Sequence, residues 1–179
     1  MNKVKHLTFS GLSMLLAGFL VIIANDIGIQ NSKYLVPLMF AIGGVFAFLF
    51  SEANKQHRLA RLYHLTLGIG MVIFALIIGA NPASLDEFLK YITYFMMMFG
   101  FIELLFGFMA LNSGDKLNMG VLAFRFFTGF CNIVGAVLIL VTSIADTNRG
   151  LFVAGCLVIL GGTAFIFFSL RIRNMKVVE

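Results

Sequence analysis

Apolar and polar positions along this chain do not alternate; they separate into blocks. Six long apolar runs, at residues 7–24, 34–50, 62–80, 88–111, 119–144 and 151–170, are divided by short polar stretches. Runs of roughly 17 to 25 residues match what a helix needs to cross a bilayer core of about 30 Å. Strands of a membrane barrel alternate apolar and polar side chains over about ten residues, and these runs do not. A helix also satisfies each backbone group within itself, as lipid requires. The pattern predicts an all-α integral membrane protein with six transmembrane helices in a single transmembrane domain, residues 1–179. Lys3 and Lys5 before the first run mimic a signal peptide. No small-x-small cleavage site follows cleanly, so the run reads as a retained helix.

The six runs read as one helical hairpin written three times. Each unit is a helix, a short outer loop with an acidic residue, and a second helix. The loops hold Asp26, then Asp86 and Glu87, then Asp146. The second helices each carry a mid-helix glycine, aligned as Gly43, Gly100 and Gly161. Glycines also recur seven residues apart, as Gly11 and Gly18, Gly100 and Gly107, Gly155 and Gly162. Seven residues are about two turns, so each pair lies on one face. With Gly43 and Gly129 these are the expected helix-packing positions, because small residues let membrane helices approach closely.

Charge then sets the orientation. With six spans, one side carries Lys3, Lys5, Lys55, Arg58, Arg61, Lys116, Arg171, Arg173 and Lys176, and the other only Lys33, Lys90 and Arg149. The positive-inside rule places both termini in the cytoplasm. The net charge of +5 therefore reflects topology and contact with anionic headgroups. Nucleic acid is not an expected partner; membrane lipids are. Only 12% of the residues are charged, about half the share in a soluble domain.

Asn81-Pro82-Ala83 spells the aquaporin signature. Aquaporins resemble a different plan, with two inverted halves and one such tripeptide in each. Here there is one copy and no short re-entrant segment. Pro82 disfavours helix at the residue before it, and Ser84-Leu85-Asp86-Glu87 reads as a capping box opening the fourth span. The stretch is expected to be the outer turn of the middle hairpin.

Glu103 is the only acidic residue well inside an apolar run. A carboxylate there costs several kcal/mol unless it is paired, hydrated or protonated. It shares a face with Gly100, Leu104 and Gly107, at i, i+3, i+4 and i+7 spacing, so it points into the bundle. Arg125 is its natural partner: each residue is eleven positions from Gly114, in the turn between spans four and five. Arg125 also begins a stripe through Thr128, Gly129, Asn132 and Ala136, which places Asn132 deeper in the same seam. Three arrangements stay open: a structural Glu103–Arg125 pair, a snorkelling Arg125 beside a neutral Glu103, and a transport or proton-relay site.

Other candidates carry less. His57 and His64 flank the start of the third helix, where interfacial histidines belong to the headgroup belt, and no set of ligands completes a metal or haem site around them. Cys131 and Cys156 lie at different distances from their loop and read as packing thiols rather than a disulfide. Three consecutive residues, Met96 to Met98, point about 100° apart and cannot converge on one copper ion. No nucleophile elbow, HExxH, P-loop or paired carboxylates occur within a span. No metal or cofactor is expected, and no enzyme.

The phrases GLSMLLAGFLVI (11–22) and GLFVAGCLVILGGTAFIF (150–167) open a span with glycine and repeat it inside. Together with the short length and the three hairpins, they resemble the HdeD-like acid-resistance membrane proteins. That resemblance implies a bacterial inner-membrane location and a non-enzymatic stress role, with no catalytic residue to carry over. The alternative is a small transporter or channel, proton-coupled or for a small solute, working as a homo-oligomer with Glu103 on a hydrated path.

Overall fold

The computed structural model describes residues 3–55, 58–112, 119–142 and 146–175, with side chains described from residue 4 to residue 170. His57, Gly114, Lys116, Ala145 and Lys176 lie outside the described residues. The described chain forms six helices: α1 Lys3–Ile22, α2 Ala24–Ala53, α3 Arg58–Ala80, α4 Leu85–Asn112, α5 Met119–Val141 and α6 Thr147–Met175. All six are long and apolar enough to cross a bilayer, as expected of a multi-pass membrane protein.

Most helices run past the ends of their apolar runs, because the interfacial turns are polar but still helical. α2 carries Glu52 into its last turn, where the carboxylate meets Lys55 Nζ at 2.9 Å and Arg61 Nη2 at 3.2 Å. This fastens α2 to the start of α3. The largest departure is at residues 25–33, expected as an outer loop. The chain instead makes one helical turn from Ala24, breaks at Gly28 and continues as helix. Gly28 adopts φ 76°, ψ 162°, a region open almost only to glycine. Ser32 covers the break by donating to the carbonyls of Ala24 and Gly28.

The turn after α3 forms around Asn81-Pro82 as expected. Ser84 Oγ accepts from the Glu87 amide at 3.2 Å, and Glu87 Oε2 accepts from the Ala83 amide at 2.8 Å. This is a capping box whose return bond lands one residue early. Asp86 in the same cap accepts from the Thr147 hydroxyl, tying the start of α4 to the start of α6. At the opposite end the Thr8 and Ser169 hydroxyls bond at 2.6 Å, so the start of α1 and the end of α6 lie together.

α2, α4 and α6 meet at the centre. Each remaining helix fills a cleft between two of them: α1 between α6 and α2, α3 between α2 and α4, α5 between α4 and α6. Three antiparallel seams bring backbones together through facing glycines. A β-carbon added at Gly44 would come within 2.7 Å of the Gly68 carbonyl, and one at Gly68 within 2.7 Å of the Gly44 carbonyl. Gly100 and Gly129 face each other in the same way across α4 and α5, at 2.7 and 3.1 Å. The α1–α6 seam has two such crossings, Gly11 with Gly162 and Gly18 with Gly155. Gly43 packs against the Met71 methyl and Gly107 against the Phe126 ring.

The seams correct the glycine alignment. In each Gly-Gly doublet the second residue makes the crossing, so the matching positions are Gly44, Gly100 and Gly162. Three residues further on come Ala47, Glu103 and Phe165, and six further on Phe50, Phe106 and Phe168. Four residues before the facing glycines Gly11, Gly68 and Gly129 come Leu7, His64 and Arg125. In antiparallel seams these offsets meet at one level, near the end of the bundle that holds the start of α1 and the end of α6.

The seams set up a comparison between two glycines. Gly18→Ala pushes a methyl onto the Gly155 carbonyl and is expected to cost about 1–3 kcal/mol. Gly79, near the end of α3, has its closest outside neighbour 3.7 Å from an added β-carbon, and Gly79→Ala is expected to be neutral or to stabilise by about 0.5–1 kcal/mol through helix propensity. Thermal unfolding in detergent checks the difference; equal effects would show that the α1–α6 crossing does not limit packing.

Candidate functional site

At the level set by the seams, three helices turn polar groups inward. α4 contributes Glu103, on the face it shares with Gly100 and Gly107. α5 contributes Arg125, four residues before its seam glycine. α3 contributes Tyr63 and His64. Tyr63 and Glu103 are each 1% exposed and His64 is 0% exposed.

Glu103 is held by two groups. Its Oε1 accepts a hydrogen bond from the Tyr63 hydroxyl, and its Oε2 lies 3.5 Å from Arg125 Nε. The second interaction is an ion pair rather than a hydrogen bond, and Oε2 has no hydrogen-bond partner among the described residues. The Arg125 guanidinium is stacked on Tyr63, with Cζ 3.9 Å from the ring centroid, and lies 5.2 Å from the Phe168 centroid. Its side chain is 15% exposed. Of the arrangements left open by the sequence, the structure holds the pair: Arg125 turns inward instead of snorkelling to the headgroups. The stack on two aromatic faces gives the cation a favourable setting where water is scarce.

The phenylalanines that match across the seams close the cluster. Phe106 meets the Tyr63 ring edge-on at 5.3 Å, Phe50 meets His64 edge-on at 4.6 Å, and Phe168 lies 6.1 Å from His64. Phe165 adds a ring 6.0 Å from His64. His64 was expected in the headgroup belt and is instead fully buried. The reason is its face: His64, Leu67, Gly68 and Met71 are spaced three and four apart and all point inward.

Asn132 does not join the cluster. It is 1% exposed, but its amide donates to the Thr128 carbonyl of its own helix at 2.9 Å. It occupies the α5 position that Met14 holds in α1 and Met71 in α3, three residues after each seam glycine. The amide is therefore satisfied locally, and the inter-helix seam at that level is carried by packing.

Sequence reasoning missed Tyr63, the residue that joins all three helices. A signal was present, since Tyr63 is four residues before Leu67 and eight before Met71, on the buried stripe of α3. The bond to Glu103 was not readable, because it crosses between helices whose relative rotation no single sequence states. No known family model, curated protein or solved structure matches the chain.

The geometry predicts strong non-additivity. Glu103→Gln or Arg125→Met alone leaves an unpartnered buried charge and is expected to cost about 3–5 kcal/mol. The double variant should lose less than the sum of the two, with a coupling of roughly 1–3 kcal/mol. Tyr63→Phe should cost about 1–3 kcal/mol by removing the donor to Oε1. Denaturation of the four chains at pH 8 measures the cycle; additive losses would show that the two side chains do not support each other.

Proposed function

We propose that this protein is a non-enzymatic multi-pass protein of the bacterial inner membrane. It is HdeD-like in plan, with three two-helix units, both termini in the cytoplasm and a role in stress or acid resistance. In this reading the Glu103–Tyr63–Arg125 cluster is a clamp that fixes α3, α4 and α5 to one another.

The observation that carries the reading is the sealing of Glu103. At 1% exposure among the described residues its carboxylate is closed off from bulk solvent and engaged by Tyr63 and Arg125. A carboxylate on a conducting path needs access to solvent; a carboxylate in a clamp needs the partners it has. A groove of about 220 Å³ does open outside the α2–α3 seam, but it is lined by Gly44, Val45, Phe48, Gly68, Ile69, Val72 and Ile73. That lining is apolar and faces lipid.

The matched seams support three units, and the basic residues support cytoplasmic termini. An enzyme reading gains no support from the cluster, in which the one inward carboxylate is already committed to two partners.

Proteoliposomes test the reading. At neutral and acidic pH the protein is expected to add no flux of protons or small solutes over protein-free vesicles. Flux that disappears in a correctly folded Glu103→Gln variant would overturn the clamp in favour of transport. Reporters fused to each terminus are expected to be active on the cytoplasmic side.

A further inference from the structure

One buried group takes no part in the clamp. His64 is 0% exposed, and neither of its ring nitrogens has a hydrogen-bond partner among the described residues. A neutral imidazole carries one N–H donor and one acceptor, and leaving them buried and unmet is unfavourable. Packing does not require it, since the matching position of α1 holds Leu7, also 0% exposed. The chemistry that histidine has and leucine lacks is the reversible uptake of a proton.

We propose that His64 is a proton-binding site of the bundle: a proton taken up there sets an imidazolium against the Arg125 guanidinium and releases α5 from the α3–α4 pair. The geometry carries this. His64 lies 4.6 Å, centroid to centroid, from Tyr63, and Arg125 Cζ lies 3.9 Å from that same centroid, so the two side chains are within about 8.5 Å of each other. Both also face the Phe168 ring, at 6.1 and 5.2 Å.

Among the described residues, the charged and titratable neighbours leave a second cation unmatched. α2 presents Phe50 toward His64 and, at its end, Glu52, which is already paired with Lys55 and Arg61. α3 itself contributes Tyr63 and, further out, Arg61. α4 offers Glu103 alone, engaged by Tyr63 and Arg125. α5 offers Arg125, and α6 offers only Phe165 and Phe168 among its described side chains near this level. Among the described residues one carboxylate thus faces one cation before proton uptake and two after it. The proton comes from water and joins a ring-nitrogen lone pair. No covalent bond breaks; the Arg125–Glu103 ion pair is what gives way.

The inference rests on the clamp, and its test separates the two. The full chain carrying His6→Gln and His57→Gln keeps His64 as its single imidazole. Its unfolding midpoint in lipid nanodiscs is measured at about pH 8 and about pH 5.5, either side of the ordinary imidazole range. Acid is expected to lower the midpoint by about 3 °C or more, and adding His64→Leu is expected to abolish most of that drop. Nitrogen NMR of the single histidine is expected to show titration accompanied by a shift of the Arg125 Nε signal. No acid drop, the same drop with leucine, or a histidine that titrates without moving the Arg125 signal overturns the proposal. So does a His64→Leu chain that fails to fold, since leucine is tolerated at Leu7. The Glu103–Arg125 coupling at pH 8 is independent of His64, so a clamp that couples there survives the loss of the proton site.

Discussion

Helices in lipid gain little by hiding apolar side chains from one another, because the lipid tails are equally apolar. Close approach of their backbones is the constraint on which the rest of this bundle depends. Packing and polar interactions must supply the association, and both are short-ranged. The facing glycines Gly44 and Gly68, Gly100 and Gly129, Gly11 and Gly162, and Gly18 and Gly155 remove the side chains that would hold the backbones apart. The long polar side chains then reach across. Arg125 lies four residues before its seam glycine and Glu103 three after the facing one. The ion pair is a consequence of the crossing between Gly100 and Gly129 as much as of the charges themselves.

The cluster is also where the three seams stop being alike. At the shared level the central helices present Ala47, Glu103 and Phe165, and the cleft helices present Leu7, His64 and Arg125. The α1 and α2 members of this layer are wholly apolar. Within the layer, charge is placed where α3, α4 and α5 meet, and it is surrounded by Phe50, Phe106, Phe165 and Phe168 from all three central helices. The low polarity of those surroundings makes each polar group depend on its immediate partners. Tyr63 therefore matters beyond its single hydrogen bond: it fixes one carboxylate oxygen and offers the face on which the guanidinium lies.

Much of this was legible in the sequence, and the remainder was not for identifiable reasons. The six spans follow from run length, because a bilayer imposes a minimum on an apolar helix. Glu103 and Arg125 could be paired from their equal distances to one turn, since rise per residue converts sequence separation directly into depth. Helix rotation is not coded in that way. The choice between Gly43 and Gly44, a difference of about 100° around α2, needed the seam itself. Tyr63 was hidden for the same reason. His64 was misplaced because its position near basic residues suggested an interface, whereas its spacing from Leu67, Gly68 and Met71 put it inside. Gly28 was hidden by the polar loop around it, which turned out to be helical on both sides of a glycine-only conformation.

Differences among the seams suggest how the bundle distributes its stability. α1 and α6 are joined by two glycine crossings, with Thr8 and Ser169 bonded near their ends. α4 and α5 have one facing-glycine crossing, and Gly107 then meets the Phe126 ring instead of another glycine backbone. The seam with fewer close backbone approaches is the one that carries the ion pair. A seam made of packed glycines is indifferent to pH and salt, whereas one made partly of charge depends on the protonation of everything near it. The bundle thus combines an α1–α6 seam whose stability is fixed by shape with an α4–α5 seam whose stability is set by electrostatics. His64, a fully buried imidazole, lies beside the second.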